Sequence, residues 1–411
     1  MKRIVVVGGG PAGMMAAIAA ASNPEHRVFL LEQNEKLGKK LYITGKGRGN
    51  FTNAADMDRF LEETISNPRF LYAAFYQFSN QDLLAFLEEN GLKWKEERGG
   101  RIFPVSDHAS DITKALEKAL RKAGVKIRLQ TKVTEPVMES PKKVCGVRLS
   151  SGEVMPAEAV VIATGGLSYK TTGSTGDGLR MAEALGLAVK EPCPALVPLE
   201  VADKELLSLQ GLSLKNVSFC LSAQRKKCFE GFGEILFTHF GISGPIVLSA
   251  SSVLARRLHQ GEAFSAAIDF KPAVEAATLD ARLQRLIQTH HKKSAAHFFD
   301  ELMPAKIRPL LVERAQMEPA QRIGDITKVQ RQRILELLKC FLFTVKGSRG
   351  FSEAIITQGG VSVKEIQPST MRSKRIEGLS FAGEVLDVDA LTGGYNLQIA
   401  FSTGYLAGRN A

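Results

Sequence analysis

The sequence is poor in cysteine and tryptophan, and beyond its first 22 residues it contains no long apolar run. Five cysteines occur among 411 residues, widely spaced and odd in number, at Cys145, Cys193, Cys220, Cys228 and Cys340. They form no CxxC pair and no Cys/His cluster with zinc-ligand spacing, which argues against a disulfide scaffold and a zinc module. Apart from the uncharged run at the N-terminus, no stretch approaches the roughly 20 apolar residues of a membrane span. We therefore expect reduced thiols, a cytoplasmic location and no stable membrane association.

The first residues imitate a secretory signal, because Met1-Lys2-Arg3 precedes an uncharged run from Ile4 to Ser22. Four successive residues, Gly8-Gly9-Gly10-Pro11, would break the apolar helix that such a signal requires. We therefore expect this segment to be part of the folded protein.

Positive charge is in excess, since 54 Lys and Arg against 43 Asp and Glu give a formal net charge of +11. The excess gathers in short clusters: Arg225-Lys226-Lys227, Arg256-Arg257, His290-His291-Lys292-Lys293, Lys328 to Arg333 and Arg372 to Arg375. Two interpretations remain open, an ordinary solvated surface or a polyanionic partner such as RNA or a phosphorylated cofactor. The length predicts two or three domains, and the sequence leaves the oligomeric state open.

The segment KRIVVVGGGPAGMMAAIAAASNPEHRVFLLEQ carries a dinucleotide-binding fingerprint. A β-branched run from Ile4 to Val7 predicts a buried parallel strand, and Gly8-x-Gly10-x-x-Gly13 follows it. The glycines permit a tight turn, and the next helix directs its N-terminus at a pyrophosphate. Glu32 follows a second apolar strand, where a carboxylate accepts hydrogen bonds from a ribose hydroxyl. The order strand, turn, helix, strand, acid therefore predicts dinucleotide binding, without distinguishing FAD from NAD(P).

Two distant segments have the same character. Val160 to Ala163 predicts a buried strand that ends in Thr164-Gly165-Gly166, and a helix is expected to begin at Asp177. Near the C-terminus, Leu379 to Ala382 predicts a strand ending in Gly383-Glu384, and a final helix opens at Gly393-Gly394-Tyr395-Asn396. A carboxylate and a helix N-terminus suit a polyol hydroxyl and a group with negative charge, both of which a flavin provides.

The loop TGKGRGNFTN at residues 44–53 is glycine-rich and cationic, but it does not match the Walker pattern GxxxxGK[ST]. Its position soon after Glu32 places it on the side of the sheet where ligands bind in such folds.

The motifs GxGxxG with Glu32, ATGG at 163–166 and GE...D...GGYN-x-Q at 383–398 resemble the FAD-binding domain of the two-dinucleotide-domain flavoproteins. KLYITGKGRGNFTN, FTHFGISGP and GEVLDVDALTGGYNLQIAFSTG resemble, more narrowly, the BaiN/YhiN-like family of NAD(P)/FAD-dependent oxidoreductases, also called aminoacetone-oxidase-like. The resemblance implies an α/β fold with a discontinuous Rossmann-like FAD-binding domain and an inserted cap.

The expected boundaries are residues 1–191 and 347–411 for the FAD-binding domain. Alternating strand patterns, such as Val217 to Leu221 and Ala263 to Phe270, predict an inserted β-rich domain at 192–272. Apolar residues at helical spacing, from Leu279 to Ile287 and from Ile334 to Phe341, predict an inserted helical region at 273–346.

The fingerprint and the resemblance together imply a set of FAD contacts: Gly8, Gly10, Pro11, Ala12, Gly13, Glu32, Lys40, Gly47, Arg48, Asn50, Val133, Thr164, Gly165, Gly383, Glu384, Gly394, Tyr395 and Asn396. In the resembling family the loop at 44–53 runs along the pyrophosphate and flavin, which makes Arg48 and Asn50 candidates for catalysis as well. Many relatives have Cys where this sequence has Gly49, so a cysteine acid is not expected here.

His239 in FTHFGISGP is the third candidate for catalysis, as a proton donor or a hydrogen bond to the substrate. A structural histidine is the alternative. His290-His291 beside two lysines favours a charged surface turn over a metal site, and we expect no metal centre.

The resemblance implies hydride delivery from NADH or NADPH to FAD, and from the flavin to a carbonyl-conjugated C=C bond. A steroid-like enone and uracil in ribosomal RNA are the two substrates that the family indicates, and the charge of +11 favours RNA. Amine oxidation with O₂ and a non-enzymatic, flavin-containing RNA-binding protein are the alternatives. No second complete GxGxxG is present, so the nicotinamide is expected to bind only transiently.

Overall fold

Strands from both ends of the sequence form one five-stranded sheet in the computed structural model, which describes residues 1–411. The chain divides into two units, Met1–Ala195 with Phe351–Ala411 and Leu196–Gly350. The strands are β1 Lys2–Val7, β2 His26–Leu31, β3 Thr52–Asn53, β4 Thr64–Ser66, β5 Trp94–Glu97, β6 Arg101–Pro104, β7 Lys126–Arg128, β8 Val133–Ser140, β9 Lys143–Leu149, β10 Val154–Pro156, β11 Ala159–Ile162, β12 Val189–Ala195, β13 Leu199–Val201, β14 Ser213–Ala223, β15 Lys226–Phe237, β16 Gly241–Ser243, β17 Phe264–Asp269, β18 Phe341–Ser348, β19 Ile356–Val361, β20 Leu379–Phe381 and β21 Asp389–Ala390. The α-helices are α1 Pro11–Ala21, α2 Met57–Glu62, α3 Tyr72–Gln77, α4 Asn80–Glu89, α5 Ser110–Lys122, α6 Asp177–Ala184, α7 Pro245–Val253, α8 Ala255–His259, α9 Ala276–Thr289, α10 Arg308–Arg314, α11 Lys328–Lys339 and α12 Tyr395–Arg409.

The main sheet of the first unit has the strand order β20-β11-β1-β2-β7. Every pairing is parallel, and Val7 lies opposite Leu31 on one side and Ile162 on the other. The run from Ile4 to Val7 is at most 5% exposed, as its β-branched sequence predicts. Strand succession changes direction between β1 and β11, which is where ligands bind in open α/β sheets. The predicted α/β class with a Rossmann-like sheet is confirmed.

The first and last helices of the chain pack closely together. A Cβ atom on Gly404 would lie 2.3 Å from the carbonyl oxygen of Ala12, and one on Gly408 would lie 2.1 Å from that of Ala16. Only glycine allows the α12 backbone to approach α1 this closely. The two ends of the sequence therefore form one structural core beside the sheet.

Four small antiparallel sheets complete the first unit, with the orders β10-β9-β8, β3-β6-β5, β12-β19 and β21-β4. Val189 of β12 pairs with Val361 of β19, and Ala195 pairs with Ile356. This pairing keeps residues up to Ala195 and from Phe351 in the first unit. The sequence pattern places these boundaries after residue 191 and before residue 347 instead.

The second unit contains a closed barrel in the order β13-β16-β15-β14-β17-β18. Phe219, Phe264 and Phe343 lie in its buried core. The same core includes Leu283 of α9 and Leu338 of α11. The β-rich and helical inserts inferred from the sequence therefore share one hydrophobic core.

The expected helical region differs from the structure at its end. Helix α11 ends at Lys339, and Phe341 begins strand β18. Residues of β18 alternate between buried and exposed, with Phe341, Phe343 and Val345 facing inward. That period of two is the strand pattern, and it outweighs the helical spacing that includes Phe341. Across the whole chain, no helix is both long and apolar enough to span a membrane.

Candidate functional site

Five loops of the first unit meet at one edge of the parallel sheet. They follow the carboxyl ends of β1, β2, β7, β11 and β20, and parallel strands bring these ends to the same side. The loops carry Gly8 to Gly10, Glu32, Gln130 to Thr131, Thr164 to Gly166, and Gly383 to Glu384. The structure thus brings together the three segments that the sequence analysis identifies: the turn after β1, the loop after β11 and the loop after β20.

The turn after β1 is built for close backbone approach. Gly8 has φ +105°, and a Cβ there would lie 2.4 Å from the carbonyl oxygen of Ala163. A Cβ on Gly13 would lie 1.8 Å from the carbonyl oxygen of Gly8. Gly10, in contrast, faces open space, and no side chain caps helix α1 after it. Pro11 has no N–H group, so the backbone N–H groups of Ala12 and Gly13 are the ones available to an anion at the start of α1.

Glu32 is buried at the end of β2, where it is 8% exposed. Its Oε2 accepts from Gly9 N at 2.6 Å, and its Oε1 accepts from Asn34 N at 2.8 Å and Asn34 Nδ2 at 2.7 Å. Thr131 N donates to the carbonyl oxygen of Glu32 at 2.8 Å, which brings the chain before Val133 alongside. Val133 itself is buried as the first residue of β8. Since a carboxylate offers about four acceptor positions, Glu32 keeps capacity for one further donor.

The loop after β11 contains a polar atom without a partner. Thr164 Oγ1 is buried and makes no hydrogen bond within the protein. The neighbouring Gly165 has φ +73°, and a Cβ there would lie 2.8 Å from Ser174 Oγ and 3.8 Å from Glu384 Oε2. An unsatisfied buried hydroxyl costs roughly 1–3 kcal/mol, so a ligand that bonds it would be stabilised.

Glu384, at the end of β20, receives three donors. Lys40 Nζ lies 2.8 Å from its Oε2, while Ser168 Oγ and Thr357 N donate to its Oε1 at 3.0 and 2.9 Å. Lys40 Nζ also donates to Ser168 Oγ at 2.6 Å. The side chains of Lys40 and Glu384 are each 21% exposed. Sequence reasoning identifies Lys40 and Glu384 but misses Ser168 and Thr357, because nothing local in the sequence marks a partner that far along the chain.

Arg48 is held in place by two carboxylates. Its guanidinium is paired with Glu97 and with Asp107, and it lies 4.3 Å from the centre of the Phe103 ring. The hydrogen bond from Arg48 lowers the pKa of Glu97. Hydrogen bonds from Lys95 and then from Arg48 lower the pKa of Asp107. Arg48 therefore fixes the loop to its neighbours rather than projecting a free charge.

The rest of this loop has an unusual backbone. Gly45, Gly47 and Gly49 have φ between +57° and +87°, and Lys46 between them has φ +58°. Asn50 Nδ2 donates to the carbonyl oxygens of Thr52 and Ile102, both at 3.0 Å. Asn50 thus ties the end of the loop to strand β6.

Gly49 leaves no space for a larger residue. Its φ is +78°, and a Cβ would lie 2.9 Å from both Ala109 Cα and Ile112 Cδ1. A cysteine at this position would therefore combine backbone strain with a steric clash.

The start of α12 is held by close contacts with its neighbours. Gly394 has φ +99°, and a Cβ there would lie 2.3 Å from the carbonyl oxygen of Thr52. Tyr395 packs edge-on against Phe60 with ring centres 5.0 Å apart, and burial raises its pKa. Asn396 Nδ2 donates to the carbonyl oxygen of Ala390 at 2.6 Å. Tyr395 and Asn396 therefore hold the preceding loop, and no side chain caps the helix.

His239 lies in the second unit, in the turn between β15 and β16. The side chain is exposed, and its ring packs edge-on against Phe240 with centres 4.9 Å apart. Of the three candidates for catalysis, Arg48 and Asn50 thus lie on the loop of the first unit, and His239 lies on the barrel unit.

The first unit fits a bound dinucleotide such as FAD. The uncapped N-terminus of α1 and the open side of Gly10 suit a pyrophosphate. Glu32 suits a ribose hydroxyl, and the orphaned Thr164 Oγ1 suits a further polar group of the ligand.

Comparison with protein families matches residues 2–410 to the HI0933-like protein Rossmann domain. The chain is 34% identical over 417 residues to a 3-dehydro-bile acid delta(4,6)-reductase of Clostridium scindens, covering 100% of this chain and 99% of the relative. It is 31% identical over 405 residues to a ribosomal RNA dihydrouridine synthase of Haemophilus influenzae, covering 98% of this chain and 96% of the relative.

Two solved structures show the same fold at low identity. A flavocytochrome c3 fumarate reductase in an open conformation has a TM-score of 0.53 at 17% identity, covering 100% of this chain and 78% of that chain. A 3-ketosteroid-delta4-(5alpha)-dehydrogenase from Rhodococcus jostii RHA1 has a TM-score of 0.53 at 15% identity, covering 100% of this chain and 96% of that chain.

Proposed function

Because this chain belongs to the HI0933-like Rossmann family of oxidoreductases, we propose that it binds FAD and reduces a carbon–carbon double bond conjugated to a carbonyl group. The observation that carries this proposal is the meeting of the Gly8 to Gly13 turn, Glu32 and Glu384 at one edge of the parallel sheet. A dinucleotide that spans this edge would contact segments from both ends of the sequence.

We assign the binding roles from the donors and acceptors of the first unit. The N–H groups of Ala12 and Gly13 bind the pyrophosphate, since α1 has no side-chain cap. Glu32 accepts from the adenosine ribose, using the acceptor capacity that Gly9 and Asn34 leave. Glu384 orients a polyol hydroxyl, and Lys40 holds that carboxylate in place. We also propose backbone contacts to the dinucleotide from Gly47, Val133, Gly383 and Gly394.

FAD, when bound and reduced by transient NADH or NADPH, supplies the hydride for an electron-poor carbon. The chain must orient the substrate and add a proton at the neighbouring carbon. We propose His239 as a candidate proton donor, because its imidazole is exposed and histidine is the commonest general acid in enzymes. Arg48 and Asn50 then act by holding the loop in its strained conformation.

We propose uracil in RNA as the preferred substrate. One relative in the family is a ribosomal RNA dihydrouridine synthase, and the positive charge of this chain is unevenly distributed. Residues 196–350 carry 22 Lys and Arg against 15 Asp and Glu, so +7 of the +11 lies in the second unit. Such an excess attracts a polyanion.

A steroid-type enone is the second candidate, favoured by the relative at 34% identity that is a bile-acid reductase. Uracil and a conjugated ketone share a C=C bond polarised by a carbonyl group. A site that binds such a polarised C=C bond would therefore suit either substrate, and the choice between them rests on what the rest of the chain binds.

Anaerobic reduction and reoxidation test the proposal. The FAD-loaded protein is mixed with NADH or NADPH, and loss of flavin absorbance is followed in a stopped-flow instrument. The reduced protein is then offered uridine-containing ribosomal RNA and a conjugated ketosteroid in separate anaerobic reactions, and the oxidised protein is offered an aminoketone in the presence of O₂. We expect reoxidation by the RNA with formation of dihydrouridine, or by the ketosteroid if the second candidate is correct.

Two other outcomes would replace the proposal. Oxidation of the aminoketone by the oxidised enzyme with O₂ consumption would indicate an amine oxidase. RNA binding without any bleaching of the flavin by NADH or NADPH would indicate a non-enzymatic RNA-binding flavoprotein.

A further inference from the structure

We propose that an exposed basic surface on the helical part of the second unit binds the phosphate backbone of a folded RNA. Five cations define this basic surface: Arg282, Arg285, Lys292, Lys293 and Arg322. The inference rests on the RNA form of the proposed function and assigns where the RNA docks.

Helix α9 supplies the first two cations. Leu279 and Leu283 of this helix are at most 1% exposed and belong to the core, whereas Arg282 and Arg285 are exposed. Residues three apart are neighbours on a helix surface, so these two guanidinium groups belong to one solvent-facing patch.

A short backbone pairing brings the other three cations together. Ile323 N donates to the carbonyl oxygen of Lys293 at 2.9 Å, and Ser294 and Arg322 form an antiparallel bridge. Paired backbones of this kind lie roughly 5 Å apart. Lys292 and Lys293 follow α9 after only two residues, so the three charges continue the patch at the end of that helix.

The five cations have no carboxylate partner in the structure, unlike most arginines around them. Arg257, Arg308 and Arg314 of the same unit are each paired with an acidic side chain. Nearby acids are already engaged, because Asp280 accepts from Arg331 at 2.9 Å and Glu301 accepts from His290 at 2.8 Å. Glu318 and Asp325, close to Arg322 in sequence, are exposed acids outside these pairs.

An unneutralised patch of this kind suits phosphate contacts more than base contacts. Lysine and arginine on a convex helical surface meet the backbone of the nucleic acid, which positions it without reading its sequence. Such contacts release counterions, so each one adds about 0.7–0.9 to the slope of log affinity against log salt. The basic surface would therefore bind the RNA through its backbone, whatever the sequence of the bases.

Neutralisation of four cations tests the inference in the full-length, FAD-loaded protein. The variant combines Arg282→Gln, Arg285→Gln, Lys292→Gln and Lys293→Gln. The control combines Lys93→Gln, Lys118→Gln, Lys122→Gln and Lys142→Gln, four cations of the first unit that are equally exposed and unpaired. The probe is a fluorescein-labelled, uridine-containing ribosomal RNA hairpin, titrated by anisotropy at several salt concentrations.

We expect the four-cation variant to bind the hairpin about 30-fold or more weakly at moderate salt, with a slope smaller by roughly 3. The control should stay within about twofold of the parent. Equal RNA affinity and slope in the variant and the parent would overturn the inference, as would equal losses in variant and control. Loss of binding to phosphatidylserine vesicles with unchanged RNA binding would overturn it in favour of a membrane surface.

Failure of this inference is distinguishable from failure of the proposed function. Flavin content, bleaching by NADH or NADPH and turnover of the ketosteroid or of free uridine do not require the basic surface. If the parent shows no flavin, no bleaching and no turnover, but the four-cation variant still binds RNA more weakly than the parent, the docking surface is supported and the proposed reaction is not. If the parent reduces free uridine but does not bind the hairpin, the proposed reaction is supported and the docking surface is not.

Discussion

Lys40 Nζ lies 2.8 Å from Glu384 Oε2, although 344 residues separate them in the sequence. The pair connects the loop after β2 with the end of β20, the two sides of the candidate FAD site. Because each side chain is 21% exposed, the pair is shielded from water more than a surface ion pair but is not fully desolvated.

Lys40→Met is expected to weaken both the fold and the binding of FAD. Removing the cation leaves the Glu384 carboxylate with Ser168 and Thr357 as its donors. We expect the free energy of unfolding to fall by about 1–3 kcal/mol and the flavin-to-protein ratio to fall after gel filtration. Urea unfolding and the visible spectrum give the two measurements.

Lys39→Met is the matched control for that variant. Lys39 pairs with Glu35 at 3.3 Å, but that carboxylate is 57% exposed, so the loss of stability should be clearly smaller than that of Lys40→Met. Equal effects of the two substitutions would show that Lys40 does no more than an ordinary surface lysine.

Gly408→Ala is expected to separate the two terminal helices. The new Cβ would lie 2.1 Å from the carbonyl oxygen of Ala16, and neither helix backbone can yield without disturbing the core. We expect a loss of about 2–3 kcal/mol in the free energy of unfolding, together with partial loss of FAD. Gly350→Ala, where the added Cβ meets nothing within 4 Å, should change stability by about 0.5 kcal/mol or less.

Local sequence patterns predict the core strands and helices of the first unit well. The apolar run of β1, the glycines after it and Asp177 at the start of α6 each act over a few residues. Strand β7 could not be predicted in this way, because it has only three residues, Lys126–Arg128, and no apolar run. The start of strand β18 could not be predicted either, because only one residue separates its alternating pattern from the end of helix α11.

Partners of the site residues could not be predicted from the sequence for a different reason. Arg48 has suitable charge and position for an anion, but Glu97 and Asp107 lie 49 and 59 residues further along the chain and neutralise it. Thr357 lies 27 residues before Glu384 and donates through its backbone, which carries no residue-specific signal. Hydrogen bonds between residues this far apart in sequence depend on how the loops fold over the sheet.

Gly49→Cys is expected to destabilise the protein without creating a catalytic acid. The φ of +78° costs a non-glycine residue about 1 kcal/mol, and contacts of 2.9 Å with Ala109 and Ile112 add to that cost. We expect a total loss of about 2–3 kcal/mol in urea unfolding and no gain in the rate of enone reduction. Gly49→Ala shares the strain but has no thiol, so a faster reaction in the cysteine variant alone would contradict this expectation.

Arg48→Met is expected to change how stability depends on pH. The pKa values of Glu97 and Asp107 lie below their ordinary values of 4.5 and 3.8 in the folded protein, where Arg48 and Lys95 donate to them. Their contribution is therefore fully present above the ordinary values and is lost as the pH falls through the lowered ones. The parent should take up protons on unfolding between about pH 5 and pH 3, and the variant should take up fewer.

Urea unfolding at closely spaced pH values measures that difference as a slope. Arg101→Met is the control, because Arg101 also lies near the Phe103 ring, at 5.8 Å, but makes no ion pair. The control should keep the steep acid dependence of the parent, since Glu97 and Asp107 retain Arg48 in it. If Arg48→Met and the parent lost stability in parallel on acidification, Arg48 would not be the cause of the lowered pKa values of the two carboxylates.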